Sequence, residues 1–164
     1  MFPTQLNRRQ FLNFNRNNKT HLVRPPWALD EINFQDSCTR CGDCITVCPE
    51  KILIREGVNG YPIVDFKRGE CSFCGDCVES CPSAALTRSQ PLAWEIKAVV
   101  NDVCLAAQQV ICTTCGEQCE ARAIRFRPVI GAVAQPEINL DACSGCGACV
   151  APCPTQAIEV KYAG

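Results

Sequence analysis

Apolar residues never run far in this chain. They come in short segments, Ile32-Asn33-Phe34, Val64-Asp65-Phe66 and Ile138-Asn139-Leu140 ahead of Cys-rich stretches, and Ile52-Leu53-Ile54, Ile124-Arg125-Phe126 and Ile158-Glu159-Val160 behind them, most of which alternate with polar residues. A period of two marks half-buried strands, so six short strands are expected. Asn59-Gly60, between the strands at 52–54 and 64–66, supplies a hairpin-like turn. Pro49, Pro82 and Pro154 each follow a cysteine directly and suit the first position of a short helix. The predicted unit is therefore strand, Cys-rich loop, helical turn, strand. No apolar run approaches the roughly 18 residues of a membrane-spanning helix, so no membrane span is expected.

Such fragments leave little for a large continuous core, and something besides hydrophobic burial must hold the fold. The chain has 164 residues, enough for one or two small domains, and sixteen of them are cysteines. All sixteen fall into four groups of four. Three groups share the spacing Cys-x-x-Cys-x-x-Cys-x-x-x-Cys-Pro: Cys38, Cys41, Cys44 and Cys48; Cys71, Cys74, Cys77 and Cys81; Cys143, Cys146, Cys149 and Cys153. That spacing is the bacterial 4Fe-4S ferredoxin signature. The fourth group, Cys104, Cys112, Cys115 and Cys119, is irregular: its first cysteine has moved upstream and Glu120 stands where the others have Pro. Its tail, Cys119 to Ile124, still matches Cys153 to Ile158, so it too is read as a cluster group; the alternative is a structural remnant with free thiols.

The chemistry explains the spacing. A 4Fe-4S cube takes four thiolates, and three cysteines two residues apart can wrap one cube if the chain turns tightly between them. Gly42, Gly75, Gly116, Gly145 and Gly147 permit φ > 0 and close backbone approach, and amides facing the sulfurs help set the potential. The fourth cysteine points away and, in two-cluster ferredoxins, serves the other cluster. Pairing neighbouring groups gives four ligand sets: Cys38, Cys41, Cys44 with Cys81; Cys71, Cys74, Cys77 with Cys48; Cys104, Cys112, Cys115 with Cys153; Cys143, Cys146, Cys149 with Cys119. A nested pairing, first group with fourth and second with third, is the alternative. Adjacent pairing is favoured because the connectors Cys48 to Cys71 and Cys119 to Cys143 leave 22 and 23 residues, each with a Pro before the next strand, Pro62 and Pro136. The expected fold is α+β, tandem two-cluster ferredoxin-like units with short hairpins and one-turn helices: an arm and connector over 1–30, one unit over 31–90 and a second over 91–164.

Other chemistries fit less well. Zinc sites use separated Cys-x-x-Cys pairs and do not need triplets with a trailing Cys-Pro; a disulfide scaffold needs an oxidising compartment, and no secretory signal is read here. No nucleophile–base pair, phosphate loop or dinucleotide fingerprint stands out, so the chain is not expected to be an enzyme. His21, the single histidine, is read as solvated, and Trp94 as packing around the cluster lobes. Charge is uneven: five cations against Asp30 give residues 1–30 a net +4, which leaves −5 for the body. An acidic body argues against nucleic-acid binding.

Asn7-Arg8-Arg9-Gln10-Phe11-Leu12 looks like a twin-arginine export signal, but the polar run Asn15 to His21 that follows cannot serve as an apolar region. Together with the three regular runs, the displaced group starting at Cys104 and Arg24-Pro25-Pro26-Trp27, it resembles the NapF family, ferredoxin-type accessory proteins of bacterial periplasmic nitrate reductase systems. That resemblance implies a cytoplasmic protein with several 4Fe-4S clusters whose partner is the catalytic subunit of the reductase before export, acting in maturation of that subunit's iron-sulfur centre or in electron delivery. An electron-wire subunit of another oxidoreductase complex is the competing reading. Arg8, Arg9, Phe11 and Leu12 are expected to form a docking arm rather than a working leader, Arg24 to Trp27 a stiff connector, and the irregular group the labile centre.

Overall fold

A computed structural model describes residues 22–58, 60–89 and 91–162. The expectations placed on Asn7 to Leu12 and on His21, and on Asn59 of the hairpin turn, fall outside these residues. In chain order the elements are α1 (Glu31–Ser37), α2 (Asp43–Val47), β1 (Leu53–Arg55), β2 (Pro62–Val64), α3 (Asp76–Glu79), β3 (Ile96–Val100), α4 (Thr114–Glu117), β4 (Ile124–Val129), β5 (Ala132–Ile138) and β6 (Ile158–Tyr162).

The strands pair only in twos among the described residues: β1 with β2, β4 with β5, and β3 with β6, all antiparallel. In the second lobe the outer strands β3 and β6 align Ile96 with Tyr162 and Val100 with Ile158, and the hairpin β4–β5 lies between them in the chain. The first lobe repeats this plan in a reduced form. Its hairpin β1–β2 pairs Leu53 with Val64, and its outer pair shrinks to the bridge between Ala28 and Leu86, flanked by Leu29 N–H donating to Ala85 C=O at 3.0 Å and Thr87 N–H to Trp27 C=O at 2.9 Å.

The strand expected at Ile32-Asn33-Phe34 is instead part of helix α1. Asp30 caps it, its carboxylate accepting from Asn33 N–H at 3.3 Å, and Glu31 sits in the first turn where the helix dipole favours an anion. Phe34 is fully buried and Ile32 is 74% exposed, a helical division of faces that a three-residue alternation imitates. The helical turns also lie elsewhere than expected. They do not follow Cys-Pro; α2 and α3 open directly after Gly42 and Gly75 and carry the third cysteine of each group. After Cys48 and Cys81 the chain turns through Lys51 and Ala84 at φ 52° and 53°, and a left-handed residue cannot propagate a right-handed helix.

Val64 ends β2, so Asp65 and Phe66 leave the sheet, and β5 likewise stops at Ile138. Pro62 and Pro136 stand within β2 and β5 rather than ahead of them; a two-stranded ribbon has only edges, where a missing N–H is tolerated. Strand β3, unanticipated, alternates buried Ile96 and Ala98 with less buried neighbours. Two apolar clusters result, one around Phe34, Ile52, Leu53 and Ile96, the other around Ala98, Ile124 and Ile158; Val150 and Val160 pack against both.

The expected connector is packed into the first lobe. Val23 C=O accepts Val64 N–H at 2.8 Å, and Arg24 is only 7% exposed. Its guanidinium donates to Glu31 at 2.9 and 2.7 Å, pairs with Glu56 at 3.5 Å, and lies 5.3 and 5.4 Å from the ring centroids of Phe34 and Tyr61. The Glu31 hydrogen bond, against the opposing cost of burial, raises Arg24 above its ordinary pKa and lowers that of Glu31. One cation thus ties connector, α1 and hairpin together. Arg24→Met keeps the aliphatic stem and is expected to cost about 1–3 kcal/mol, the range for losing charged hydrogen bonds; a fall in the thermal midpoint of the holoprotein checks it, and an unchanged midpoint refutes it.

Candidate metal centres

The three regular loops share an unusual backbone. Both neighbours of the second cysteine are left-handed: Arg40 and Gly42 around Cys41 (φ 60° and 92°), Phe73 and Gly75 around Cys74 (54° and 88°), Gly145 and Gly147 around Cys146 (74° and 84°). Alternating hand turns successive amides toward one concavity, the arrangement that cradles anions and iron-sulfur sites. Each left-handed non-glycine costs about 1–2 kcal/mol, so the surroundings must hold it in place.

The irregular group differs at its front and agrees at its tail. Gly116 has no positive φ, lying inside α4, and Thr113 after Cys112 has a negative φ, −126° with ψ 1°. The long stretch from Cys104 to Cys112 turns instead at Gln109, φ 63°. It is held to β5 by Gln135 Nε2 donating to Ala106 C=O at 2.7 Å and Val133 N–H to Gln109 Oε1 at 3.2 Å. The longer second hairpin therefore supports the displaced ligand loop. Three residues after the last cysteine, all four groups carry a left-handed residue: Lys51, Ala84, Arg122 and Gln156, φ 48° to 53°. These positions were invisible in the sequence, being four different side chains. In the second lobe the turn sends an N–H back to the sulfur, Ala123 to Cys119 Sγ at 3.3 Å and Ala157 to Cys153 Sγ at 3.2 Å.

These loops wall four small cavities of near-equal size. Site one is bounded by Cys38, Cys41, Cys44 and Cys81; site two by Cys48, Cys71, Cys74 and Cys77; site three by Cys104, Cys112, Cys115 and Cys153; site four by Cys119, Cys143, Cys146 and Cys149. All sixteen cysteines are brought to a cavity, and in each the last cysteine comes from the neighbouring group. The sixteen are free thiols.

The donor set fits an iron-sulfur cube. Burial first, and the neighbouring cysteines second, push the thiols of Cys44, Cys77 and Cys149 up to about 12; burial likewise carries Cys71 and Cys115 to about 11. Four thiolates converging on one apolar space need a cationic occupant, and loading it expels their protons. Among the described residues no three His, Cys, Asp or Glu side chains close on a single metal ion. A quartet of soft thiolate donors suits a multi-iron sulfur group.

Residues 37–85 match the family model of the 4Fe-4S dicluster domain, and residues 136–159 that of the 4Fe-4S binding domain; the irregular group lies in neither. The ferredoxin-type protein NapF of Escherichia coli K12 is 43% identical over 85% of this chain and 85% of its own. That of Haemophilus influenzae Rd is 45% identical over 98% of this chain and 97% of its own. This chain belongs to the NapF ferredoxin-type family. It is also 32% identical, over 85% of its length and 67% of the relative's, to the methylamine utilization ferredoxin-type protein MauM of Methylobacillus flagellatus.

Membership in the NapF family makes this a 4Fe-4S ferredoxin-type electron-transfer protein with tandem ferredoxin domains. Among its described residues no helix is long and apolar enough to cross a membrane. The fourth ligand loop packs closely against β3 and Trp94. A Cβ on Gly145 would lie 2.5 Å from the Ile96 carbonyl oxygen and 3.0 Å from Trp94 Nε1, at a φ that L residues avoid. Gly145→Ala is expected to empty site four, lowering bound iron by about four per chain; iron analysis with the visible spectrum checks it, and full iron content refutes it.

Proposed function

We propose that the chain holds four 4Fe-4S centres and serves a periplasmic nitrate reductase as its cytoplasmic ferredoxin-type accessory, acting on the catalytic subunit before export. The observation carrying the four-centre reading is the placement of Cys153 with Cys104, Cys112 and Cys115, which gives the irregular group the same crosswise quartet as the regular ones. The nitrate reductase assignment rests on the NapF resemblance.

The work of the chain's own residues is then defined. Sixteen thiolates bind the groups and leave no iron open to a substrate, which is why the role is not catalysis on a small molecule. Apolar walls such as Leu86 at site one and Val160 at site four keep water out. Left-handed loops aim amides inward and so tune the potential. The bound groups supply one-electron storage and transfer. A reducing cytoplasm keeps unloaded thiols from pairing, and the arm with Arg8, Arg9, Phe11 and Leu12 supplies charge and two apolar anchors for a partner. The irregular group, with its long Cys104–Cys112 stretch and no left-handed flank at Cys112, is the labile centre.

Anaerobically purified protein is expected to carry about sixteen iron and sixteen acid-labile sulfide per chain, and about twelve of each refutes the four-centre reading. The holoprotein should restore iron and nitrate reduction to catalytic subunit taken from cells lacking this chain. Cys112→Ser, emptying site three, should abolish that rescue; full rescue by the variant removes the labile-centre assignment, and no rescue by the wild type favours a plain electron carrier.

A further inference from the structure

The two lobes touch at several places, Trp27 N–H donating to Ala93 C=O at 2.7 Å among them, and one contact joins ligand loop to ligand loop. Cys71 N–H donates to Cys146 C=O at 2.8 Å, and among the described residues this is the only backbone hydrogen bond linking a ligand loop of one lobe to a ligand loop of the other. Cys71 walls site two and Cys146 walls site four. The contact is reinforced on both sides. Trp94 Nε1 donates to Ser144 C=O at 3.1 Å, within the fourth loop, while its ring stands edge-on to Phe73 of the second loop and to Phe66, with centroids 5.8 and 5.9 Å away. Phe66 in turn lies against bare backbone: a Cβ on Gly147 would be 2.0 Å from its ring. Lys97 Nζ, from β3, donates to Cys143 C=O at 2.7 Å.

Within each lobe the crossed cysteines already bind the sites in pairs. Cys48 and Cys81 change places between sites one and two, and Cys119 and Cys153 between sites four and three. The ligand-loop contact between the lobes therefore joins site two of one crossed pair to site four of the other.

We propose that the four sites form one line in the order one, two, four, three, with the Cys71–Cys146 contact as the electron crossing between lobes. The proposal rests on the four-centre reading above. Each passage moves one electron from a reduced site, oxidised by its loss, to its oxidised neighbour; no bond is made or broken and no proton moves. The electron enters from an external low-potential one-electron donor at one end. Because tunnelling falls off exponentially with edge-to-edge distance, a bonded contact between two ligand loops is the shortest covalent and hydrogen-bonded route between the lobes. The irregular group then occupies a terminus, not the interior its place in the sequence suggests.

The test uses the full-length holoprotein, reduced anaerobically with dithionite, and reads electron paramagnetic resonance rather than activity. The wild type is expected to show spin–spin interaction extending over both lobes. Phe66→Leu, which removes the aromatic ring from against the fourth loop, and Trp94→Ala, which removes the indole bond to Ser144, should retain their iron and lose the inter-lobe interaction, leaving the spectrum of two independent pairs. A wild type with full iron that already reads as two independent pairs overturns the proposal, as does an iron-replete variant with an unchanged spectrum. Iron and sulfide well below sixteen in the wild type would instead overturn the four-centre reading, so the two failures are told apart.

Discussion

Four thiols facing one apolar space make the constraint on which everything else here depends. A buried thiolate without a cation is expensive, and the thiols of Cys44, Cys77 and Cys149 stand near 12 for that reason. Strands of three to seven residues, in separate two-stranded ribbons, could not hold those loops by hydrogen bonding alone. What the chain lacks in apolar interior it replaces with bonds from sulfur to iron, and strands and short helices serve chiefly to aim the cysteines.

That division of labour explains where strain is placed. Left-handed residues that are not glycine cluster beside cysteines, at Arg40, Phe73, Lys51, Ala84, Arg122 and Gln156. A helix or strand could not bend so sharply, and a loop would relax unless its ends were pinned. Arg24 plays the corresponding part away from the cysteines, a buried cation that fixes connector, helix and hairpin with hydrogen bonds and aromatic faces.

Much of this was legible in the sequence because the cysteine spacing is a geometric statement. Quartets, repeat number and tandem ferredoxin organisation follow from it, and the strands beginning at Ile124 and Ile158 follow from alternation. Short apolar segments misled where a helix and a strand share the same three letters: Ile32-Asn33-Phe34 belongs to a helix because Asp30 caps it, a cue present in the sequence but outweighed by the pattern. Pro49 and Pro82 suggested helix starts, whereas the helices begin after Gly42 and Gly75. Strand β3 at Ile96 alternates clearly and could have been found. The lobe contact through Phe66, Trp94 and Gly147 could not, since it depends on side chains separated by up to 81 positions meeting only once both lobes have formed.

The crossed placement of last cysteines has one more consequence. Cys119 belongs by sequence to the irregular group and by position to site four, whose other three walls are regular. Any drift that erased the irregular motif altogether would dismantle its healthy neighbour as well. Freedom to vary is confined to the front of that motif, where Cys104 has wandered upstream, while its rear keeps the same left-handed turn as the other three copies. Decay in such a chain is rationed by interlock: a copy can loosen at one end only, and copies can be gained or shed cleanly only two at a time.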